Sequence, residues 1–186
     1  MSDKAISSTI ETSSGPVTIR PSRAKDAAAY RELRLQSLRD HSEAFAADYD
    51  ETLARPIEEW QERMRRAGPN GISYVAEAQN ELIGMTALRR EDQPKTRHSA
   101  WLVSVYVRPD WRGHGVADAL IEACVDWARM LGVRIVKLGV AATNVAAIRC
   151  YTRLGFSVYG VEPEMILANG RYYDELLMAR RLEKQA

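Results

Sequence analysis

A strand, a proline and a glycine-bearing helix start follow one another in residues 105–117, which read VYVRPDWRGHGVA. The apolar run ends at Val107, and the helical period that follows has Gly113 and Gly115 at its start. A helix N-terminus has free backbone N–H groups and a partial positive charge, and glycine lets an anion come close to them. The stretch therefore predicts a tight turn, at residues 112–117, that binds a phosphate group.

Hydrophobic periodicity on both sides of this turn predicts a mixed α/β fold. The predicted strands are residues 17–20, 72–78, 82–88, 101–107, 135–140, 156–161 and 172–178, and the predicted helices begin near residues 25, 56, 113 and 144. The first strands are expected to be antiparallel, whereas a helix joins the fourth strand to a parallel fifth. A crossover of this kind puts a ligand at the carboxyl end of its first strand, where the 112–117 turn lies.

Polar residues without periodicity at 1–14 predict a flexible tail, followed by a single domain over residues 15–186. The 26 basic and 25 acidic residues nearly cancel, so the charge suggests neither a nucleic-acid nor a membrane partner. Cys124 and Cys150 lie in apolar segments and predict buried free thiols. With no leader peptide and no apolar run of about 20 residues, a cytoplasmic location is expected. No metal site is expected.

Two common phosphate-binding motifs do not match the turn. The dinucleotide fingerprint needs glycine at its first, third and sixth positions, but the sixth position counted from Gly113 is Asp118. A P-loop ends in the consecutive sequence Gly-Lys-Ser or Gly-Lys-Thr, and neither sequence occurs in the chain. A nucleotide-binding α/β domain therefore stays only as a distant alternative, and it would prefer NAD or ATP as its ligand.

A different family matches the turn and a second block of residues. The first block follows an apolar strand and consists of Arg112, Gly115 and Ala117. The second block lies at the predicted helix after the following strand and consists of Asn144, Ala147, Tyr151, Gly155 and Phe156. Together they resemble the acetyl-CoA signature of the GNAT superfamily of N-acetyltransferases. The resemblance extends over roughly residues 17–180, with the specific motifs in 101–161. It implies a mixed α+β GNAT-like domain, whose mostly antiparallel sheet is flanked by helices and splayed between the fourth and fifth strands.

The resemblance also implies an acetyl-CoA site. The amides of Gly113, Gly115, Val116 and Ala117 would hold the pyrophosphate, as the physics of the helix start also requires. The backbone of Val105 and Val107 would bind the pantetheine arm as a strand binds a neighbour. The residues expected to bind the cofactor are Val105, Val107, Arg112, Gly113, Gly115, Val116, Ala117 and Asn144. Asn144 alone is equally well explained as the cap of a helix.

Tyr151 is the expected catalytic residue. Its phenol, with an ordinary pKa near 10, stays protonated at neutral pH and can give a proton to the departing thiolate. The alternative is that Tyr151 only fills the core. The general base stays open because residues 99–107 contain no aspartate or glutamate. The options are Glu43, Glu91, Asp92, Glu162, a chain of water molecules, or an amine that is deprotonated beforehand.

The predicted activity is acetyl-CoA-dependent N-acetylation of a primary amine, by direct attack in a ternary complex. The acceptor is expected to be a small metabolite such as a polyamine or an amino acid. Five acids between residues 40 and 51 are either a solvated loop or, as the family implies, part of a segment that closes over a cationic amine. The alternatives are a non-catalytic CoA-binding sensor and a protein N-terminal or lysine acetyltransferase. Family members are often dimers, so a homodimer is a further expectation.

Overall fold

The computed structural model describes residues 7–65 and 68–183. Eight strands form one sheet in the order β1-β2-β3-β4-β5-β6-β8-β7. The strands are β1 (Ser8–Thr12), β2 (Gly15–Pro21), β3 (Gly71–Ala78), β4 (Glu81–Arg90), β5 (Ser99–Val107), β6 (Ile135–Ala141), β7 (Ser157–Ala168) and β8 (Arg171–Arg181). The helices are α1 (Ala27–Asp40), α2 (Tyr49–Ala54), α3 (Ile57–Arg65), α4 (Val116–Met130) and α5 (Val145–Arg153). The prediction of a mixed α/β fold with a mostly antiparallel sheet is confirmed.

The sheet opens where its one parallel pair meets. Strands β5 and β6 pair only at residues 99–101 and 135–137, so the remainder of β5 is separated from β6. The register between β4 and β5 shifts next to this point, and Ser104 has a φ of 58°. A bulge of this kind bends the strand that carries it. The predicted splay between the fourth and fifth predicted strands is therefore present, between β5 and β6.

Helices cover the two faces of the sheet unequally. On one face α4 buries Leu120, Ile121 and Cys124 in the larger core. On the other face a smaller core joins Tyr30 and Trp60, from α1 and α3, to the sheet. This second face is called the α1 face below. Over β6 and β7 the α1 face is covered by a short 3₁₀ turn, Ser42–Ala44. The α1 face therefore stays accessible beside the opening between β5 and β6.

The predicted flexible tail is wrong for residues 8–12. Strand β1 pairs antiparallel with β2, and Ile10 packs against the larger core. The two strands turn at Gly15, whose φ of 107° suits glycine, and Thr12 Oγ1 donates a hydrogen bond of 2.7 Å to the Gly15 carbonyl. Ile10 is the one large apolar side chain of β1, so the strand has no apolar alternation for a sequence to reveal. Residues 1–6 of the predicted tail lie outside the described residues.

Two smaller expectations also change. The acidic stretch contains a helix, α2, which Asp48 caps by accepting a hydrogen bond of 2.9 Å from the backbone N–H of Glu51. Both cysteines are free, as predicted, but only Cys124 is buried, and Cys150 is partly exposed. Among the described residues, every helix is too short or too polar to cross a bilayer.

Candidate active site

The start of α4 leaves its backbone N–H groups open. Gly115 is the N-cap residue with a φ of 78°, Gly113 has a φ of 80°, and no side chain caps the helix. A Cβ added at either glycine would meet no other atom within 4 Å, so both face open space. Both glycines adopt the left-handed conformation that most side chains avoid. The turn predicted from the sequence therefore has the form that a phosphate group requires.

Strand β5 presents a free edge beside this turn. Val105 and Val107 lie beyond the last pair with β6, so the backbone here can bind a ligand in the manner of an added strand. The carbonyl of Val107 accepts a hydrogen bond of 3.0 Å from Arg112 Nε. The Nη2 atom of Arg112 also lies 3.1 Å from the Nε2 atom of His41. The side chain of Arg112 thus connects the end of β5 with the segment after α1.

Helix α5 brings Asn144 and Tyr151 to the same opening. Asn144 is the N-cap, and its Oδ1 accepts a hydrogen bond of 3.1 Å from the N–H of Ala147. Tyr151 is 7% exposed and packs edge-on against Phe156, with ring centroids 6.0 Å apart. Within the described residues its hydroxyl has no hydrogen-bond partner. Burial raises the pKa of Tyr151, and the nearby Cys150 adds to this, so the phenol keeps its proton at neutral pH.

One cleft of about 1370 Å³ contains every residue predicted for the site. It runs through the splay and joins the start of α4 to the α1 face of the sheet. Its lining includes Val105, Val107, Arg112, Gly113, Gly115, Val116, Ala117, Asn144 and Tyr151. The structure therefore brings together residues that are as much as 46 positions apart in the chain (105 to 151).

The far end of the cleft contains a carboxylate that the sequence did not single out. Glu175 of β8 pairs with Ala141 of β6 on one side and with Glu162 of β7 on the other. Its carboxyl group fills the space that a Cβ at Gly139 would take, so the glycine makes room for it. Burial raises the pKa of Glu175, and the negative charge of Glu162 raises it further. No hydrogen bond or ion pair holds this carboxyl group among the described residues.

The other acids considered as a base have different surroundings. Glu91 lines the cleft but accepts a hydrogen bond of 3.0 Å from Trp101 Nε1. Glu43 lies 3.6 Å from His41 Nδ1 and outside the cleft lining. Asp92 is likewise absent from the lining, whereas Glu162 belongs to it.

The segment after α1 covers the cleft, but its acids do not line it. Ala44 and Phe45 contribute to the lining, together with residues 46–47. Asp40 instead accepts a hydrogen bond of 2.6 Å from the Tyr106 hydroxyl, and Asp48 caps α2. Of the two alternatives given for the acids of residues 40–51, the structure therefore favours a solvated segment, because none of these acids lines the cleft. The glutamates that line the cleft are Glu162 of β7, Glu175 of β8 and Glu91 after β4.

A sheet that opens between two parallel strands, with a glycine-bearing helix start beside the opening, is the arrangement expected of a CoA-dependent acyltransferase. The chain belongs to the acetyltransferase (GNAT) family, whose model matches residues 26–156. Its enzyme class is N-acetyltransferase and its cofactor is acetyl-CoA. The resemblance noted in the sequence is confirmed.

Two relatives act on amino acids by name. The chain is 34% identical over 126 residues to the L-amino acid N-acetyltransferase AaaT of Escherichia coli, covering 65% of this chain and 74% of that protein. It is 35% identical over 80 residues to the L-methionine sulfoximine/L-methionine sulfone acetyltransferase of Pseudomonas paraeruginosa. That match covers 43% of this chain and 46% of the Pseudomonas protein, so the chain spans about half of its length.

Solved structures share the fold. A GNAT acetyltransferase from Streptococcus pneumoniae superposes with a TM-score of 0.80 at 23% identity, over 90% of this chain and 99% of the other. YncA from Salmonella typhimurium, an acetyltransferase solved with its cofactor acetyl-CoA, gives a TM-score of 0.75 at 24% identity, over 91% and 96% of the two chains.

Proposed function

We propose that this protein transfers an acetyl group from acetyl-CoA to the primary amine of a small metabolite of the amino-acid class. The observation that carries the proposal is the single cleft through the splay, which joins a phosphate-binding turn at Gly115 to a free carboxylate at Glu175. The amino acids in the names of the E. coli and Pseudomonas relatives support this choice of acceptor.

The cofactor end of the cleft positions the acetyl donor. Acetyl-CoA supplies an acetyl group activated as a thioester. The N–H groups of Val116 and Ala117 bind its pyrophosphate with the partial positive charge of α4. The free edge of β5 at Val105 and Val107 hydrogen-bonds the pantetheine amides and directs a backbone N–H at the thioester carbonyl.

Two side chains move protons. An acceptor amine is an ammonium ion at neutral pH and must lose a proton before it can attack. Glu175 accepts this proton, because its half-buried carboxyl group is unpaired and its raised pKa makes it a better base than an ordinary glutamate. Tyr151 donates its phenolic proton, or a strong hydrogen bond, to the sulfur atom that leaves.

A panel of amines tests the activity directly. Mixing the protein and acetyl-CoA with L-amino acids, polyamines, peptides and a protein lysine substrate should release free thiol fastest with amino acids. Mass spectrometry should find the product 42 Da heavier, the mass of an acetyl group less a hydrogen. Tight CoA binding without turnover of any amine would instead support a non-catalytic CoA sensor, and turnover of peptides alone would support a protein acetyltransferase.

Gly115→Val should weaken CoA binding by about 10- to 100-fold, because a β-branched residue in a left-handed conformation costs about 1–3 kcal/mol or forces the turn to change shape. Isothermal titration calorimetry with CoA measures the effect. Gly132→Val is the matched control: Gly132 lies just after the other end of α4, has a φ of 69° and also faces open space. It should lose similar stability but keep its CoA affinity. Equal affinity in the two variants would mean that the phosphate binds elsewhere.

A further inference from the structure

Arg34 of α1 holds a positive charge in the cleft, and none of the described carboxylates pairs with it. Its side chain lines the cleft and lies over the ring of Phe45, with Cζ 4.5 Å from the centroid. Within the described residues its side chain makes one hydrogen bond, a long one of 3.5 Å to Ser37 Oγ. Across residues 7–65 and 68–183 it makes no ion pair. Burial lowers the pKa of Arg34 to about 10, so the group is still charged at neutral pH but is partly stripped of water.

Other arginines add to this charge instead of balancing it. The positive charges of Arg63 and Arg89 lower the pKa of Arg34 further, against an opposing effect of Tyr30. Arg89 of β4 lines the same cleft and also lacks an ion pair in the part of the chain described. Arg34 is half-buried and Arg89 is exposed, and the repulsion between their like charges is relieved when an anion binds between them. Arg34 and Arg89 are called the arginine pair below.

The arginine pair lies opposite the two glutamates across the sheet. Arg89 is paired with Trp101 in the β4–β5 ladder, and Trp101 with Lys137 in the β5–β6 ladder. Paired residues share a face and alternate residues return to it, so Gly139, two residues after Lys137, is on this face as well. Glu175 leans over Gly139 from β8. The cleft therefore has the arginine pair on its β4 and α1 side, where the one lining carboxylate after β4, Glu91, is bonded to Trp101, and the unpaired Glu175 with Glu162 on its β8 and β7 side.

We propose that the arginine pair is the binding site for the carboxylate of the acceptor, whose amine then points toward Glu175. A guanidinium group binds a carboxylate through two parallel hydrogen bonds, and Arg34 is already oriented by Phe45. The acceptor is thus a zwitterionic amino acid. A polyamine would bring a second cation against Arg34 and Arg89. This inference rests on the proposed acetyl transfer to a small amine.

The test compares each L-amino acid with its own carboxamide, which keeps the amine and side chain but loses the negative charge. In the wild-type protein kcat/KM should be about 10- to 100-fold higher for the amino acid than for its carboxamide, because hydrogen bonds to a charged group are lost in the carboxamide. Arg34→Gln should remove most of this preference, chiefly through KM, and Arg34→Lys should restore part of it. Arg39→Gln is the control: Arg39 is on the same helix, lies over Tyr49 and is outside the cleft lining. It should keep the full preference.

A binding measurement separates this inference from the proposed function. Calorimetry with N-acetyl-L-amino acids and their carboxamides needs no turnover and should give the same preference and the same loss in Arg34→Gln. If amines are acetylated but acids and carboxamides bind and react equally, the arginine pair is not the subsite, although the activity stands. If carboxylates bind through Arg34 but no amine is acetylated, the subsite stands and the activity fails. Should Arg34→Gln unfold, Arg89→Gln, at an exposed position, replaces it.

Discussion

Replacing Tyr151 with phenylalanine is expected to lower kcat by about 10²- to 10³-fold, the range for loss of a positioned acid or hydrogen-bond donor. The change removes only the hydroxyl, which has no partner in the described protein, and keeps the ring that packs against Phe156. CoA affinity should therefore stay the same. Steady-state thiol release measures kcat, and calorimetry with CoA measures the affinity.

Tyr172→Phe serves as the control for this change. Tyr172 lies at the start of β8, is 62% exposed and is outside the cleft lining, so loss of its hydroxyl should not change the rate. An unchanged rate in Tyr151→Phe would remove Tyr151 from the mechanism and leave it as a core residue. A fall in CoA affinity equal to the fall in rate would give it a role in cofactor binding instead of proton transfer.

The local structure around the start of α4 could be predicted because its features are local in sequence. The turn before α4 depends on two glycines within three residues, and Gly113 and Gly115 do adopt the left-handed conformation. The apolar run of β5 and the helical period of α4 are equally local. Asn144 and Tyr151 follow on a single short helix at a fixed spacing. No knowledge of how distant strands pair was needed.

The end of the cleft at Glu175 could not be predicted because it depends on pairing between distant strands. Glu175 reaches the cleft only through the register of β8 against β6, and it fits only because residue 139 is a glycine. That glycine inside an apolar strand was the available signal, since such a position often marks the close approach of another group. Strand β7 was predicted too short because most of its side chains are exposed on both faces, which leaves no alternation to read.

The bulge in β5 was missed for a similar reason. Ser104 has a positive φ, which glycine and asparagine adopt more readily than serine. Only the shift of register against β4 reveals the extra residue. Backbone conformations of this kind persist when the surrounding structure holds them, and they are concentrated at functional sites. The bulge lies where β5 leaves β6, so it shapes the opening of the cleft.

Glu175→Gln is expected to lower kcat/KM by about 10²- to 10⁴-fold at neutral pH, the usual contribution of a general base. Glutamine keeps the size of the side chain but cannot accept the proton. In the wild-type protein kcat/KM should fall as the pH drops through the pKa of Glu175, which burial and Glu162 raise above the ordinary range of a glutamate. A pH profile of kcat/KM should lose this acidic limb in Glu175→Gln.

Glu162→Gln distinguishes a base from a merely structural carboxylate. Removal of the Glu162 charge takes away one cause of the raised pKa of Glu175, so the acidic limb should move to lower pH without disappearing. Persistence of the original limb in Glu175→Gln would assign the proton transfer to another group.

Stability should change in the opposite direction to activity. The folded protein binds the proton of Glu175 more tightly than the unfolded chain does, so the free energy of unfolding falls as the pH rises above the ordinary pKa of a glutamate. At neutral pH the charged carboxylate therefore destabilises the fold, and Glu175→Gln should raise Tm while it lowers the rate. Thermal unfolding at pH 4 and pH 7 measures this, with the larger gain in Tm at pH 7. A higher Tm together with a lower rate in Glu175→Gln would show that this carboxylate serves the reaction and not the fold.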